Sequence, residues 1–218
     1  VYLPQKFILL IGGFLVLGDN LLDSSRVNGT AIKDLLLYFQ PRNVFDPMTG
    51  SLTCRDVCDE LDLPCRSEDI RFGFDACDAR NYEGIGPFDF IWLHPPYWRM
   101  KKYTDDARDM SGAPTLPYFL HRFRELIGNC AKVLADDGKL AILMGDYSDR
   151  DAGFVPLTYW TKRIAFEAVF ALAEDQRAAV FGDRHDVDIV GGDHPGPVLN
   201  HQPAGGLDRA IFDRQPLA

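Results

Sequence analysis

An excess of positive charge is the first thing missing from these 218 residues: 23 lysines and arginines stand against 32 aspartates and glutamates, a formal net charge of -9. Phosphate contacts need clustered lysine and arginine, so a chain-wide polyanion-binding surface is excluded and any nucleic-acid contact has to be local. One local cluster exists, Arg99, Lys101 and Lys102, with Arg122 and Arg124 further on; on charge alone these also read as scattered surface cations. Cysteine is scarce and lacks paired spacing. Cys54, Cys58, Cys65, Cys77 and Cys130 are odd in number and contain no C-x-x-C pair, which argues against a disulfide framework and against zinc. The expectation is reduced thiols in a cytoplasmic protein without a metal, with a site built from the first four cysteines as the minor alternative. Long apolar runs are also missing. Phe7 to Leu17, broken by Gly12-Gly13, is about half of the ~20 residues that a bilayer requires, so no membrane partner is expected. Only Lys6 precedes that run, which leaves it without the basic start of a secretory leader. Repeats and low-complexity tracts are absent. With 46% hydrophobic and 25% charged residues, the composition is that of a soluble globular protein, and the length bounds it to one well-buried α/β domain.

What is present is an alternation of strand and helix signals. Ala31-Ile32, Leu35-Leu36-Leu37 and Phe39 have helical spacing up to Pro41, which predicts a helix over Thr30–Phe39. Asn43-Val44-Phe45 then reads as a strand, Asp46 to Ser51 as a tight loop with Gly50, and Cys54 to Leu61 as a helix. The unit recurs more weakly as Leu63-Pro64-Cys65 into Asp69 and as Arg71–Ala76 into Asp78. Phe88–Leu93 is a compact apolar run that predicts a buried central strand ending at His94. A long amphipathic helix follows over Tyr118–Leu134. Asp136-Asp137-Gly138 reads as a turn into a second buried strand, Lys139–Met144, and Thr158–Ala173 as one more helix. Strands alternating with helices predict an α/β, mainly parallel sheet with helices on both faces, in a single domain. Residues 1–26 form a poorly defined N-terminal segment, 27–175 the domain, and 176–218, rich in Gly and Pro, a poorly structured tail.

In such a sheet ligands bind at the carboxyl ends of the strands, and the polar motifs fall at those predicted ends. Asp46-Pro47-Met48-Thr49-Gly50-Ser51 offers a glycine that lets the backbone approach a ligand and an acid that can hold an amine. Asp69 and Asp78 are acids placed to hold ribose hydroxyls and an adenine amine, with Asp75 competing for the second role. Taken singly, each is also an ordinary turn residue. His94-Pro95-Pro96-Tyr97 is more particular. Its prolines fix an extended turn, remove two N–H donors and leave carbonyl acceptors, and the aromatic residue can stack on a flat ring.

The order D-P-x-x-G-S, acid, acid and P-P-Y after an apolar strand resembles the amino-group DNA methyltransferases, whose signatures are a D-P-F-x-G-S-G-T loop and a D/N/S-P-P-Y/W tetrapeptide. The likeness runs from about Val27 to Ala173 and takes in the helix-turn-strand around Leu134–Leu143. It implies a Rossmann-like methyltransferase fold and S-adenosylmethionine as cofactor, held by Asp46, Pro47, Gly50 and Ser51 at its methionine end, Asp69 at the ribose and Asp78 at the adenine. It further implies transfer of a methyl group to N4 of cytosine or N6 of adenine in DNA, the base flipped out and received by His94, Pro95, Pro96 and Tyr97. Two positions depart from the pattern. His94 replaces Asp, Asn or Ser and predicts activity that falls as acid protonates the imidazole; Leu52 replaces a glycine and predicts a narrowed cofactor site. RNA or a protein glutamine amide is the alternative substrate, and a catalytically inactive relic that serves as a binding module is the alternative of another class. Target base, DNA sequence and oligomeric state are not legible.

Overall fold

The short apolar runs of the sequence pair into one five-stranded parallel sheet in the computed structural model, which describes residues 7–11 and 24–168. In chain order the elements are β1 (Phe7–Ile11), α1 (Ser24–Phe39), β2 (Val44–Asp46), α2 (Thr53–Glu60), β3 (Cys65–Ser67), β4 (Phe88–Leu93), α3 (Leu116–Val133), β5 (Leu134–Leu143), β6 (Tyr147–Asp149) and β7 (Gly153–Val155). The chain is helical again over residues 157–168. The sheet runs β1-β5-β4-β2-β3, while β6 and β7 form a separate antiparallel pair. All described residues fall in one compact unit. The expected tail, 176–218, and most of the expected N-terminal segment lie outside the described residues, as does the helix predicted beyond residue 168.

Alternation along each strand gives the sheet two cores. From β4, Phe88, Ile91 and Leu93 face one side with Phe45, Leu140 and Ile142, where Phe119, Phe123, Leu126 and Ile127 of α3 cover them. Phe90 and Trp92 face the other with Val44 and Ala141, under Ile32 and Leu36 of α1 and Cys54, Val57 and Cys58 of α2. Burial on both faces is why these strands read as continuous apolar runs rather than alternating ones. Thr115 starts α3 by accepting a hydrogen bond from the Tyr118 N–H at 3.3 Å, with Pro117 in the first turn, the preferred place for proline in a helix. The architecture is the α/β, Rossmann-like arrangement expected from the sequence.

Three local readings are corrected. Arg71–Ala76 forms no strand: Asp69 and Asp78 instead cap short 3-10 turns at Ile70–Phe72 and Ala79–Tyr82, and Gly73 takes a left-handed φ of 91°. Tyr82 in the second turn and Phe74, Ala76 and Cys77 between the two still reach the core. Asp136-Asp137-Gly138 does not separate α3 from a later strand, because β5 begins at Leu134, paired with Phe88, and resumes with Lys139 opposite Phe90. The two acids occupy a bulge, which lets a strand carry extra residues without losing its pairing. Finally, part of the Phe7–Leu17 run is β1, parallel to β5 from Phe7 opposite Lys139 to Ile11 opposite Leu143.

Candidate functional site

Strand order dictates where the site lies. From β2 the chain crosses by α2 to β3 on one side, and β4 then pairs on the other side of β2 and leads by α3 to β5. With α2 on one face of the sheet and α3 on the other, the connections diverge beyond the carboxyl ends of β2 and β4, and a crevice opens there. Asp46 is the last residue of β2 and His94 directly follows β4. Both line a cavity of about 510 Å³ together with Gly50, Ser51, Asp69 and Tyr103. That volume is within the ~300–1,000 Å³ common for small-molecule sites.

The loop after β2 is built by its own short hydrogen bonds. Asp46 accepts from the Met48 N–H at 3.1 Å, and Leu52 N–H reaches the Thr49 carbonyl at 2.9 Å. From the β3 side, the Glu68 N–H donates to the Asp46 carbonyl at 2.8 Å and the Thr49 N–H to the Glu68 carbonyl at 2.9 Å. Asp69 completes the join by accepting from the Gly50 N–H at 2.9 Å, while its neighbour Arg71 donates to the Gly50 carbonyl. Gly50 has φ 53° and Leu52 φ 67°, so the loop makes two left-handed residues where only glycine is unstrained. A glycine at position 52 would relieve that strain. Leu52 is 37% exposed and is not part of the cavity wall, which corrects the expectation that its side chain narrows the site.

Burial sets the charge states. The Asp46 carboxyl is pushed up to about 8 by burial; the Met48 N–H and the nearby Thr49 hydroxyl offset this in part, and the Cys65 and Asp69 charges add to it. Asp46 is therefore largely protonated at neutral pH. Thr49 Oγ1 is itself buried without a hydrogen-bond partner, so its influence on Asp46 is electrostatic rather than a formed bond. Burial would also raise Asp69, but the Arg71 side chain and the N–H groups of Arg71 and Gly50 hold it below the usual carboxylate range. Burial lowers His94, keeping the imidazole neutral, and lifts the Tyr97 phenol to about 12.

Of the residues singled out by sequence, Asp46, Gly50, Ser51, Asp69 and His94 meet in the large cavity. Pro47 lines a smaller neighbour of about 50 Å³ that shares Met48, Asp69 and Asp109 with it. Pro95 and Pro96 are buried behind His94. Tyr97 is half-buried, its hydroxyl 3.3 Å from His94 Nε2. Asp78 lines neither cavity: it pairs with the Arg80 guanidinium at 2.5 Å and is held down to about 2 by it. Asp75 does line the smaller cavity, where Arg122 grips it at 2.8 and 2.9 Å.

The opposite wall comes from residues that motif reading passed over. Tyr103, Thr104 and Asp109 line the large cavity beside Lys101, whose ammonium lies 5.2 Å from the centre of the Tyr103 ring. Asp109 shapes that loop by accepting from the Thr104 N–H at 2.8 Å and the Ser111 N–H at 2.8 Å. An aromatic residue directly after the Lys101-Lys102 pair was the available signal. The turn that carries the tetrapeptide is strained. Trp98 is buried at φ 51° and is fixed by an indole N–H bond of 3.0 Å to the Ala113 carbonyl; bulky residues rarely adopt such a φ outside functional turns.

No protein-family model matches the chain, and no curated protein matches it. A solved structure of an O-methyltransferase family protein from Burkholderia thailandensis is similar over 67% of this chain, at 20% identity and a TM-score of 0.44. The match covers 51% of that chain, so this protein spans about half its length.

Proposed function

We propose that the chain is an S-adenosylmethionine-dependent methyltransferase acting on an exocyclic amine of DNA, N4 of cytosine or N6 of adenine. The observation that supports this best is the meeting of Asp46 and His94 in one cavity at the reversal of strand order. It joins the D-P-x-x-G-S loop and the H-P-P-Y tetrapeptide, which are separated in the sequence. Bound there, S-adenosylmethionine supplies a sulfonium methyl group that an amine can take up without a covalent enzyme intermediate.

The residues present fit that cofactor. A buried Asp46 suits its ammonium group, because a cation brought against the carboxyl offsets the desolvation that keeps it protonated. The partnerless Thr49 hydroxyl and the Ser51 hydroxyl offer further polar contacts on the same wall. Asp69 is more committed: four N–H groups, one of Gly50 and three of Arg71, already point at it, so a ribose hydroxyl shares it with the loop. On the substrate side, neutral His94 offers a ring nitrogen as acceptor for the target amine, and the prolines behind it bring no competing N–H. A base must leave a duplex to reach this depth. Tyr103 on the cavity wall, or Tyr97 beside His94, would stack on it.

Calorimetry with S-adenosylmethionine tests the first half of the proposal. The protein is expected to bind one equivalent, more tightly at pH 8 than at pH 6 as Asp46 gives up its proton, and Asp46→Asn is expected to weaken binding ~10-fold or more through loss of a charge-assisted hydrogen bond. No binding by the unaltered protein at either pH points instead to a relic that keeps the fold as a binding module. Cofactor binding without transfer to DNA points to RNA or a protein amide as acceptor.

A further inference from the structure

Three of the five cysteines converge although their spacing gives no metal signature. Cys54 and Cys58 lie four residues apart on α2 and so share one helix face. Cys65 opens β3, the edge strand that pairs with β2 from Val44 opposite Cys65. Their sulfur atoms all lie within 4.8 Å of one another, and among the described residues no imidazole or carboxylate joins them at that range. Cys54 and Cys58 are buried, at 1% and 0% exposure, and Cys65 is half-buried, which leaves a path from solvent to the cluster. A lone buried cysteine is simply a small apolar side chain, but three converging sulfurs are a donor set. We propose that Cys54, Cys58 and Cys65 form a binding site for one thiophilic cation, Zn²⁺ or Cu⁺.

The chemistry of the donors selects that class. An all-sulfur set favours Zn²⁺ or Cu⁺ and disfavours Mg²⁺, Ca²⁺ and Mn²⁺, which prefer oxygen. A cation ~2.3 Å from each sulfur spaces the sulfurs ~3.8–4.0 Å apart, so the three need to close by less than ~1 Å from the observed 4.8 Å limit. Cation binding displaces the thiol protons to solvent, and no oxidant or reductant is needed. Its structural effect follows from position. Cys54 stands directly after the Asp46–Thr53 loop and also lines the large cavity, so a cation fastening α2 to β3 fixes the loop from beneath. The site stands independently of the proposed methyl transfer.

The full chain, reduced and stripped of metal, is titrated separately with Zn²⁺ and, without oxygen, with Cu⁺, and the products are weighed by native mass spectrometry. One cation per chain in either arm, with proton release and a raised Tm, is the expected result. Cys65→Ser should weaken binding beyond the ~10–100-fold that follows loss of an outer-shell partner, while Cys77→Ser leaves it unchanged. Should Cys65→Ser fail to fold, Co²⁺ in the unaltered protein serves instead and should show thiolate-to-cobalt charge-transfer absorption. Failure to hold either cation at one per chain, full affinity in Cys65→Ser, or a cobalt spectrum without thiolate bands overturns the site.

Discussion

His94 sits at the point where a carboxylate, amide or hydroxyl stands in the resembling signature, and its environment decides whether imidazole can replace them. Burial lowers its pKa below 6.5, so the ring remains an acceptor at neutral pH. With S-adenosylmethionine saturating at every pH, activity should therefore be level from pH 8 to about 6.5 and fall only at lower pH, with a midpoint below the ordinary histidine value of ~6.5. His94→Ala should lower kcat by ~10²-fold or more, and His94→Asn should keep activity but lose the acid limb. A pH profile that is flat from 5 to 8 in the unaltered protein removes His94 from this role. Asp46 has the opposite sign in its coupling to stability. Its carboxyl, at about 8 in the folded chain against 3.8 for the ordinary group, gives stability that is full below pH 4 and lost as pH rises toward 8. Asp46→Asn imitates the protonated form, so it should remove that slope from denaturant unfolding measured between pH 5 and pH 8. An unchanged slope places the charge elsewhere.

At the scale of elements, the bulge in β5 depends on one position. A Cβ on Gly138 would stand 2.9 Å from the Phe88 carbonyl and 2.8 Å from Leu134 Cδ1, and the backbone contact cannot yield easily. Gly138→Ala should cost ~1–3 kcal/mol of unfolding free energy, measurable by urea denaturation; a loss under ~0.5 kcal/mol would show that the bulge is slack. Elements were legible in the sequence where period and burial agree. β4 is apolar at every position but Asp89 because both its faces are covered, and α3 shows its apolar face from Phe119 to Val133. Legibility failed where side chains reach the core from irregular backbone. Phe74, Ala76 and Cys77 are apolar and buried, yet they lie on irregular chain between two 3-10 turns, Ile70–Phe72 and Ala79–Tyr82. The candidate site divides in the same way. The Asp46 loop and His94 are local motifs at strand ends, whereas the choice between Asp75 and Asp78 depends on Arg122 and Arg80 reaching them. The cysteine cluster likewise depends on β2–β3 pairing, which spacing along the chain does not encode.

Across the whole molecule, the charge of -9 leaves the approach of a polyanion to a few cations. Four of the five picked out in the sequence are in ion pairs: Arg99 with Asp149, Lys102 with Asp105, Arg122 with Asp75 and Arg124 with Glu167. Lys101 is the one on the cavity wall, beside Tyr103. Arg71 lines the same cavity, together with Asp46, Asp69 and Asp109. Among the described residues no helix is long and apolar enough to cross a membrane. The most direct measurement combines the protein with methyl-labelled S-adenosylmethionine and DNA of mixed sequence, digests the DNA to nucleosides and separates them by mass spectrometry. The expected result is label in N4-methylcytosine or N6-methyladenine that disappears with His94→Ala. Label confined to RNA or protein, or no transfer while the cofactor is bound, contradicts methylation of a DNA amine.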